Sequence, residues 1–203
     1  IPLIEYVAKI GKPIILSTGG GSIEDIDRAV NAVLKHNKNL ALLQCTAGYP
    51  PEYSELNLKV IETFRSRFPE VTIGYSGHDS GIAMGLVAYI LGARVIEKHF
   101  TLNRAMKGTD HAFSLEPQGM QKLVRDIDRA RLALGDGIKD TYPSEIAPLK
   151  KMGKSIFYKS TMAAGEVLAP EHVDFRSPGD GTPPYKVSEF VGKALRKNVV
   201  AES

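Results

Sequence analysis

Four short apolar runs, each followed by a stretch with helical periodicity, occupy the chain up to about residue 136. The runs start at Pro13, Leu40, Val71 and Arg94 and so recur about every 23–31 residues, a spacing typical of parallel βα units. Short, continuously apolar runs are typical of strands buried on both faces of a parallel sheet. The pattern therefore predicts an α/β fold built on a parallel sheet.

Each of the four predicted strands ends in polar side chains. These are Ser17 and Thr18, Gln44 and Thr46, Ser76 and His78, and Glu97 and His99. An open doubly wound sheet concentrates its chemistry at one switch point, whereas a (β/α)8 TIM barrel uses the ends of most strands. We therefore expect residues 1–136 to form half of a (β/α)8 barrel, its C-terminal half.

The residue composition and the pattern of apolar runs change after residue 136. Gly and Pro residues indicate a linker over 137–151, and short apolar runs with tight turns then predict a small β-rich domain over 152–203. Within that domain, the Pro- and Gly-rich segment 174–184 predicts a loop, and 187–195 has the pattern of a short amphipathic helix. We expect this domain to be cut short at its C-terminus.

Composition excludes several classes of protein. The net charge of +3 is too small, and the basic residues too scattered, to indicate nucleic-acid binding. No apolar run is long enough to span a membrane, and no signal-peptide pattern opens the chain. The single cysteine, Cys45, fits a reducing compartment, so we expect a cytoplasmic protein. The chain starts without Met, which suggests a piece of a longer protein.

His78 and His99 are the strongest candidates for chemistry. Each lies at the C-terminal end of a predicted strand, and successive βα units place such ends side by side. Two neutral imidazoles at one rim suit a divalent transition metal with open coordination positions. The alternative is a pair of core histidines that are bonded to the backbone.

Six motifs follow one another along the first part of the chain: Ser17-Thr18-Gly19, Gln44-Cys45-Thr46 with Tyr49-Pro50, Gly74-Tyr75-Ser76-Gly77-His78, Glu97-Lys98-His99-Phe100-Thr101, Lys107-Gly108-Thr109-Asp110-His111 and Ser114-Leu115-Glu116-Pro117. With these motifs in this order, the chain resembles the sialic acid synthase family, which includes N-acetylneuraminate and N-acylneuraminate-9-phosphate synthases and relatives that make legionaminic-type acids. The resemblance continues into Gly165-Glu166-Val167-Leu168 and Phe175-Arg176-Ser177-Pro178-Gly179, which look like the family's antifreeze-like (SAF) domain.

The resemblance implies an enzyme that condenses phosphoenolpyruvate with an N-acetylmannosamine-type sugar aldehyde and releases phosphate. It also implies a divalent metal, Mn²⁺ first and Mg²⁺ or Co²⁺ as alternatives. His78 and His99 match the family's metal ligands, so a bound ion would stabilise the alkoxide that forms at the sugar. Asp110 matches a carboxylate that holds or deprotonates the attacking water. Without the resemblance, Asp110 is equally well explained as a turn residue after Gly108.

The resemblance gives four further residues a role in binding substrate. Ser17 and Ser76 match hydroxyls that contact phosphoenolpyruvate, although a serine at a strand end is also a common helix cap. Tyr49 matches a tyrosine on the sugar side, or it packs as a loop aromatic over the rim. Arg176 matches an arginine that reaches the partner's sugar in a domain-swapped homodimer, or it is a solvated loop residue.

The family's N-terminal residues near the metal and the phosphoenolpyruvate do not lie in this sequence, so we expect the fragment alone to be inactive. Lys98 is not a replacement for them, because side chains alternate along a strand and Lys98 should point away from His99. Two rival hypotheses stay open. One is another metal-dependent barrel aldolase or a 3-deoxy-sugar-acid phosphate synthase, and the other is a non-catalytic carbohydrate-binding module.

Overall fold

A four-stranded parallel sheet is the centre of the first of two units in the chain. The computed structural model describes residues 1–201, and the first unit is Ile1–Asp136. Its strands follow the chain order: β1 (Ile14–Ser17), β2 (Leu40–Cys45), β3 (Thr72–Gly77) and β4 (Val95–Lys98). Every neighbouring pair is parallel, so the predicted α/β fold on a parallel sheet is confirmed.

A helix precedes the sheet and a helix follows each strand. They are α1 (Pro2–Lys9), α2 (Ile23–Leu34), α3 (Val60–Arg67), α4 (Ala83–Ile90) and α5 (Pro117–Ala133). The predicted start of α2 is confirmed by a capping box, in which the Ser22 amide donates to Asp25 Oδ2 (3.0 Å) and the Asp25 amide donates to Ser22 Oγ (3.3 Å). These bonds satisfy donors that the first helical turn leaves free.

The two faces of the sheet have different surroundings. On one face, Leu42, Ile73 and Tyr75 are almost fully buried and pack against helix residues such as Ile61 and Phe64. The opposite face carries the alternate residues, among them Ser17, Cys45, Ser76 and Glu97. Ser17 and Glu97 are exposed there, and so is the apolar side chain of Ile15 (59%). Ser17, Ser76 and Glu97 therefore lie on the face that the helices leave uncovered, whereas the strand-end residues Thr18 and Gln44 are buried on the opposite face.

The second unit begins at Gly137 and is described here by itself. It contains α6 (Pro143–Met152) and an antiparallel pair of strands, β5 (Ser155–Tyr158) and β6 (Val173–Arg176). Its small apolar core consists of Met162, Leu168, Val173 and Val199. Among residues 1–201, the structure has no helix that is both long and apolar enough to cross a membrane.

The predicted linker 137–151 contains most of helix α6, because Pro143 suits a first helical turn and the Glu145 side chain accepts a hydrogen bond from the Tyr142 amide (2.8 Å). The expectation of an amphipathic helix over 187–195 is wrong, because a 3₁₀ helix, Pro184–Glu189, is followed by a turn and by an isolated β-bridge at Ala194. There the Leu195 amide donates to Glu166 O (2.8 Å), so tertiary pairing overrides the helical pattern.

Candidate active site

His78 lies one residue beyond β3 and is nearly buried, with 6% of its surface exposed. Its Nδ1 is 2.9 Å from the backbone oxygen of Thr46, at the end of β2. Because a carbonyl oxygen only accepts hydrogen bonds, we assign the proton of the neutral ring to Nδ1. The other ring nitrogen, Nε2, then keeps its lone pair for a ligand.

His99 lies one residue beyond β4 and faces His78. The ladder between β3 and β4 ends at the pair Gly77 and Lys98, so the two histidines follow it at equivalent positions. Their ring centres are 5.1 Å apart and the ring planes meet at 87°. The structure thus brings the two predicted ligands together, while His78 also makes the backbone hydrogen bond that the alternative explanation requires.

Aromatic side chains surround the histidine pair. The ring of Tyr49, from the loop after β2, lies 4.3 Å from the ring of His78 and 6.0 Å from that of His99. Phe113 lies 5.0 Å from the ring of His99 and is buried. Tyr49 is 54% exposed, so it covers His78 on one side while its own outer face is open to a ligand.

Asp110 reaches the same site from the loop between β4 and α5. Its Oδ2 is 3.5 Å from Nδ1 of His99, and its other oxygen accepts a hydrogen bond from the Thr109 hydroxyl (2.8 Å). The Ser114 hydroxyl donates to the Asp110 backbone oxygen (2.6 Å) and holds the loop in this conformation. The Asp110 side chain is half-exposed, so it remains accessible to water beside His99.

Ser76 and Glu97 form a hydrogen-bonded pair next to the histidines on the uncovered face of the sheet. The buried Ser76 hydroxyl donates to Glu97 Oε1 (2.6 Å), so Ser76 does not act as a helix cap. The sequence analysis named Glu97 among the strand-end polar residues but gave it no role, although alternation along β4 places it on the same face as His99. Burial raises the pKa of the neighbouring Cys45 thiol, which keeps this residue neutral.

Ser17 lies farther from the histidines than Ser76 does. It is exposed at the end of β1, which pairs with β2, and β2 pairs with β3, so Ser17 is two strands from Ser76. Strands are spaced about 4.8 Å apart, which puts the two hydroxyls on the order of 10 Å from one another. A cavity of about 350 Å³ adjoins Ser17, and Thr18, Gly19 and Gly21 also line it.

Lys98 points to the helix-covered face, as strand alternation predicts. Its Nζ donates to Asp79 Oδ1 (2.9 Å) and to the Asp79 backbone oxygen (2.6 Å). The Tyr75 hydroxyl donates a hydrogen bond to the same Oδ1 (2.8 Å). Burial lowers the pKa of Lys98 against the opposing effect of Asp79, and burial also raises the pKa of Tyr75. Sequence reasoning missed Tyr75 and Asp79, because their pairing with Lys98 spans two strands.

Arg176 is in the second unit, at the end of β6. Its Nε donates to Asp174 Oδ2 (2.7 Å), and this hydrogen bond holds the pKa of the Asp174 carboxyl below its usual range. The arginine side chain is 46% exposed, so it lies at the surface of its own unit.

Within the residues that the structure describes, no group of three or more His, Cys, Asp and Glu side chains could hold a metal ion. The strand-end site therefore offers two imidazoles as ligands, with the carboxylate of Asp110 beside one of them. An ion bound here needs additional ligands from water, from substrate or from other parts of the protein.

Family models match both units of the chain. Residues 1–139 match the model of the NeuB family, and residues 153–203 match that of the SAF domain. The chain belongs to the NeuB family. It is 38% identical over 201 residues to N,N'-diacetyllegionaminic acid synthase of Campylobacter jejuni, and 38% identical over 195 residues to human N-acetylneuraminate-9-phosphate synthase.

These relatives are longer than the NeuB-family chain described here. The alignments cover 98% and 96% of this chain but 60% of the Campylobacter protein and 54% of the human one. The chain therefore spans little more than half of the length of the relatives that it matches.

Solved structures agree with this assignment to the NeuB family. The chain is similar to N-acetylneuraminic acid synthetase of Leptospira borgpetersenii, crystallised with citrate, with a TM-score of 0.65 and 38% identity; 72% of this chain and 51% of that one are covered. It is also similar to a spore coat polysaccharide biosynthesis protein of Bacillus subtilis, with a TM-score of 0.61 and 30% identity, covering 98% of this chain and 61% of that one.

Proposed function

We propose that this NeuB-family chain is part of a synthase that condenses phosphoenolpyruvate with the aldehyde of an N-acylated amino sugar and releases phosphate. The observation that carries the proposal is the meeting of His78 and His99 at neighbouring strand ends, in a chain 38% identical to two sialic- or legionaminic-type synthases. Parallel α/β folds place their active sites at this edge of the sheet.

The histidine geometry fits a shared divalent ion, with Mn²⁺ as the first choice and Mg²⁺ or Co²⁺ as alternatives. With metal–nitrogen bonds of about 2.1 Å, two imidazoles on one ion at 90–110° have ring centres ~4.5–5.2 Å apart. The observed separation is 5.1 Å. The Thr46 carbonyl fixes the ring of His78 with Nε2 free, which is the usual support for a histidine ligand. When bound, the ion supplies a Lewis acid for the sugar's carbonyl oxygen.

The neighbouring residues suit the two substrates. Asp110, beside His99, holds or deprotonates the water that adds to C2 of phosphoenolpyruvate. The Ser17 hydroxyl donates a hydrogen bond to its phosphate or carboxylate, and the Ser76 hydroxyl does so after turning its one hydrogen away from Glu97. Tyr49 presents an open ring face and a hydroxyl on the side where the sugar enters.

The parallel sheet belongs to the C-terminal half of a (β/α)8 barrel in this proposal. Further βα units in the complete protein cover the sheet face that carries the exposed Ile15 and Glu97, and they supply the remaining ligands. The lengths of the relatives support this, since only about half of each is matched. The fragment by itself is then inactive, because two histidines and a carboxylate do not complete the site.

Arg176 completes the site of a partner subunit in a domain-swapped homodimer. The support is its position on β6 beside a loop rich in Pro and Gly, together with the planar fork by which arginine recognises carboxylates. The Asp174 side chain orients Arg176 until substrate binds. We place the enzyme in the cytoplasm, since its single cysteine requires no oxidising compartment.

The test is to incubate the full-length protein with Mn²⁺, phosphoenolpyruvate and a panel of 2-acetamido sugars, and to measure phosphate release and product mass. The expected product has the mass of the sugar plus one pyruvic acid, because one water is consumed as phosphate leaves. One phosphate is released per turnover. Condensation in a parallel reaction that contains pyruvate in place of phosphoenolpyruvate would indicate a pyruvate aldolase. Turnover with sugar phosphates that lack an acylamino group would indicate a 3-deoxy-sugar-acid synthase, and sugar binding without turnover would indicate a carbohydrate-binding module.

A further inference from the structure

We infer that Tyr75, Asp79 and Lys98, here called the buried cluster, hold the two histidines in their mutual orientation before any ion or substrate binds. The cluster lies behind the site and its members are positioning residues. This inference rests on the proposed function only for its consequence, which is tighter ion binding. The orientation itself is a property of the ion-free protein.

Backbone pairing between β3 and β4 stops before the histidines. The β3–β4 ladder ends at Gly77 and Lys98, and His78 and His99 come one residue later. Beyond that point Lys98 Nζ crosses to the Asp79 backbone oxygen at 2.6 Å. A side chain thus continues the connection between the two strands after their ladder has ended.

Each end of this connection adjoins a histidine. Asp79 directly follows His78, and Lys98 directly precedes His99. The Asp79 carboxylate also accepts from Lys98 (2.9 Å) and from Tyr75 (2.8 Å), so three hydrogen bonds converge on one residue. A shift of the ion pair would therefore move the backbone at both histidines.

Strand β3 leaves space for the buried cluster at Gly77. A Cβ atom on Gly77 would lie 2.5 Å from a ring carbon of Tyr75 and 2.9 Å from Asp79 Oδ1. Both distances are too short for real contacts, so the Tyr75 ring lies across the space that any other residue would fill. The hydroxyl of Tyr75 reaches Asp79 only because position 77 is glycine.

Stability alone does not explain the buried cluster. The Lys98 and Asp79 side chains are 2% and 1% exposed, and Asp79 Oδ2 is buried with no hydrogen-bond partner in the described part of the chain. Desolvation offsets much of the attraction within a buried ion pair, and apolar residues of similar volume are often at least as stabilising. What an ion pair adds is directional bonding, which fixes the relative position of the two strand ends.

The test compares Lys98→Met and Tyr75→Phe with Arg67→Met in the full-length protein. Arg67→Met is the matched control, because it also breaks an Arg/Lys–Asp pair, with Asp27, but on the helical side away from the site. The measurements are Mn²⁺ affinity, melting temperature, and the ring ¹⁵N signals of His78 and His99 in ion-free protein. Loss of a partner that supports metal ligands typically weakens metal binding 10–100-fold.

We expect Lys98→Met to weaken Mn²⁺ binding by about tenfold or more and to shift or split both histidine signals. Tyr75→Phe should act in the same direction to a smaller extent, and Arg67→Met should leave affinity within about twofold and the signals unchanged. A folded Lys98→Met protein with wild-type affinity and histidine signals would overturn the inference, even with a lower melting temperature, since the cluster would then be structural only.

A replacement variant and a measurement without ion decide the inference if the first comparison fails. If Lys98→Met does not fold, the neutral pair Asp79→Asn with Lys98→Gln replaces it, together with Tyr75→Phe, under the same criteria. If the wild-type protein binds no Mn²⁺, the proposed metal-assisted function fails. The inference is then decided by the ion-free histidine signals, which support it if Lys98→Met changes them and overturn it if they are unchanged.

Discussion

The rings of His78 and His99 meet almost at a right angle, with 5.1 Å between their centres. The Thr46 carbonyl fixes one ring by accepting from its Nδ1 (2.9 Å), and the Asp110 carboxylate lies 3.5 Å from Nδ1 of the other. In His78 the hydrogen-bonded nitrogen is Nδ1, so Nε2 is left for a ligand, and in His99 it is Nδ1 that faces the Asp110 carboxylate. This relationship makes the roles of the two histidines separately testable.

His78→Ala and His99→Ala in the full-length protein should each nearly abolish turnover while leaving the fold intact. Each variant removes one of two ligands of the proposed ion, and such electrostatic stabilisation of a developing alkoxide is typically worth several kcal/mol. Phosphate release in Mn²⁺-saturated buffer is the measurement. The exposed His36 on the helical side provides the control, since His36→Ala should keep full activity.

The ligand assignment would be contradicted by a histidine variant that retains more than about a tenth of wild-type activity, because that is a loss of only about 1.4 kcal/mol. A circular dichroism spectrum and melting temperature close to those of wild type would show that a loss of activity is not a loss of fold.

Ser76→Ala should raise the Michaelis constant for phosphoenolpyruvate about tenfold or more and change kcat much less. A hydrogen bond to a charged group contributes about 1.5–3 kcal/mol, and the loss also frees Glu97 from its 2.6 Å contact. Ser17→Ala should act in the same direction with a smaller effect, because Ser17 is exposed. Steady-state kinetics with each substrate varied in turn measure both Michaelis constants. The control is Ser66→Ala, at an exposed serine on α3. An effect on the sugar alone would refute the assignment.

Much of the first unit could be predicted from sequence, because its signals are local. The apolar runs that became β1 to β4 are bounded by Gly, Pro or polar residues, and the Ser22–Asp25 capping box marks the start of α2. The second unit was harder. Residues 187–195 have a helical pattern, yet Leu195 pairs with Glu166, and no local signal encodes that long-range bond.

The same distinction applies to the site. A histidine directly after an apolar run is visible in sequence, so the positions of His78 and His99 at the strand ends could be predicted. The Asp79–Lys98 ion pair could not, because it depends on the β3–β4 register and on the space above Gly77. The contact of Tyr49 with His78 likewise depends on the path of a loop, which periodicity does not describe.

Arg176→Ala should raise the Michaelis constant for the sugar more than that for phosphoenolpyruvate. Mixing Arg176→Ala subunits with His78→Ala subunits should partly restore activity, because a swapped mixed dimer contains one site with both groups intact. Phosphate release after verified subunit exchange measures this. Arg196→Ala, another exposed arginine of the second unit, should leave both constants unchanged. Absence of restoration in exchanged dimers would exclude the swapped arrangement.

The Asp27–Arg67 pair should give a small, pH-dependent contribution to stability. Hydrogen bonding from Arg67 lowers the pKa of Asp27, and the Nε to Oδ1 distance is 2.6 Å. A carboxyl with a depressed folded-state pKa stabilises the fold above its unfolded pKa of about 3.9, and this is lost as pH falls through the folded value. The gap in urea midpoint between wild type and Arg67→Met should therefore be present at pH 7 and shrink below about pH 4. A gap that widens in acid would contradict the assignment.

Gly77→Ala should destabilise the protein through contact with Tyr75. The added methyl would lie 2.5 Å from the tyrosine ring, and overpacking of this kind typically costs about 1–3 kcal/mol. We expect a melting temperature lower by about 2–4 °C for each kcal/mol, measured by calorimetry. Gly119→Ala in α5 is the control, because its nearest contact would be 3.4 Å away and alanine favours helices.

A double-mutant cycle identifies the cause of that destabilisation. If the methyl of Gly77→Ala collides with the Tyr75 ring, the substitution should cost clearly less in a Tyr75→Leu background, where a smaller and more flexible side chain replaces the ring. Equal costs in the two backgrounds would show that the strain arises elsewhere, for example at Asp79 Oδ1, which lies 2.9 Å from the same methyl position. Gly77→Ala should also weaken Mn²⁺ binding, because the displaced ring no longer supports Asp79 beside His78. Gly119→Ala should leave the Mn²⁺ affinity unchanged. A loss of Mn²⁺ affinity in both glycine variants would show that general instability, and not the displaced Tyr75 ring, weakens ion binding.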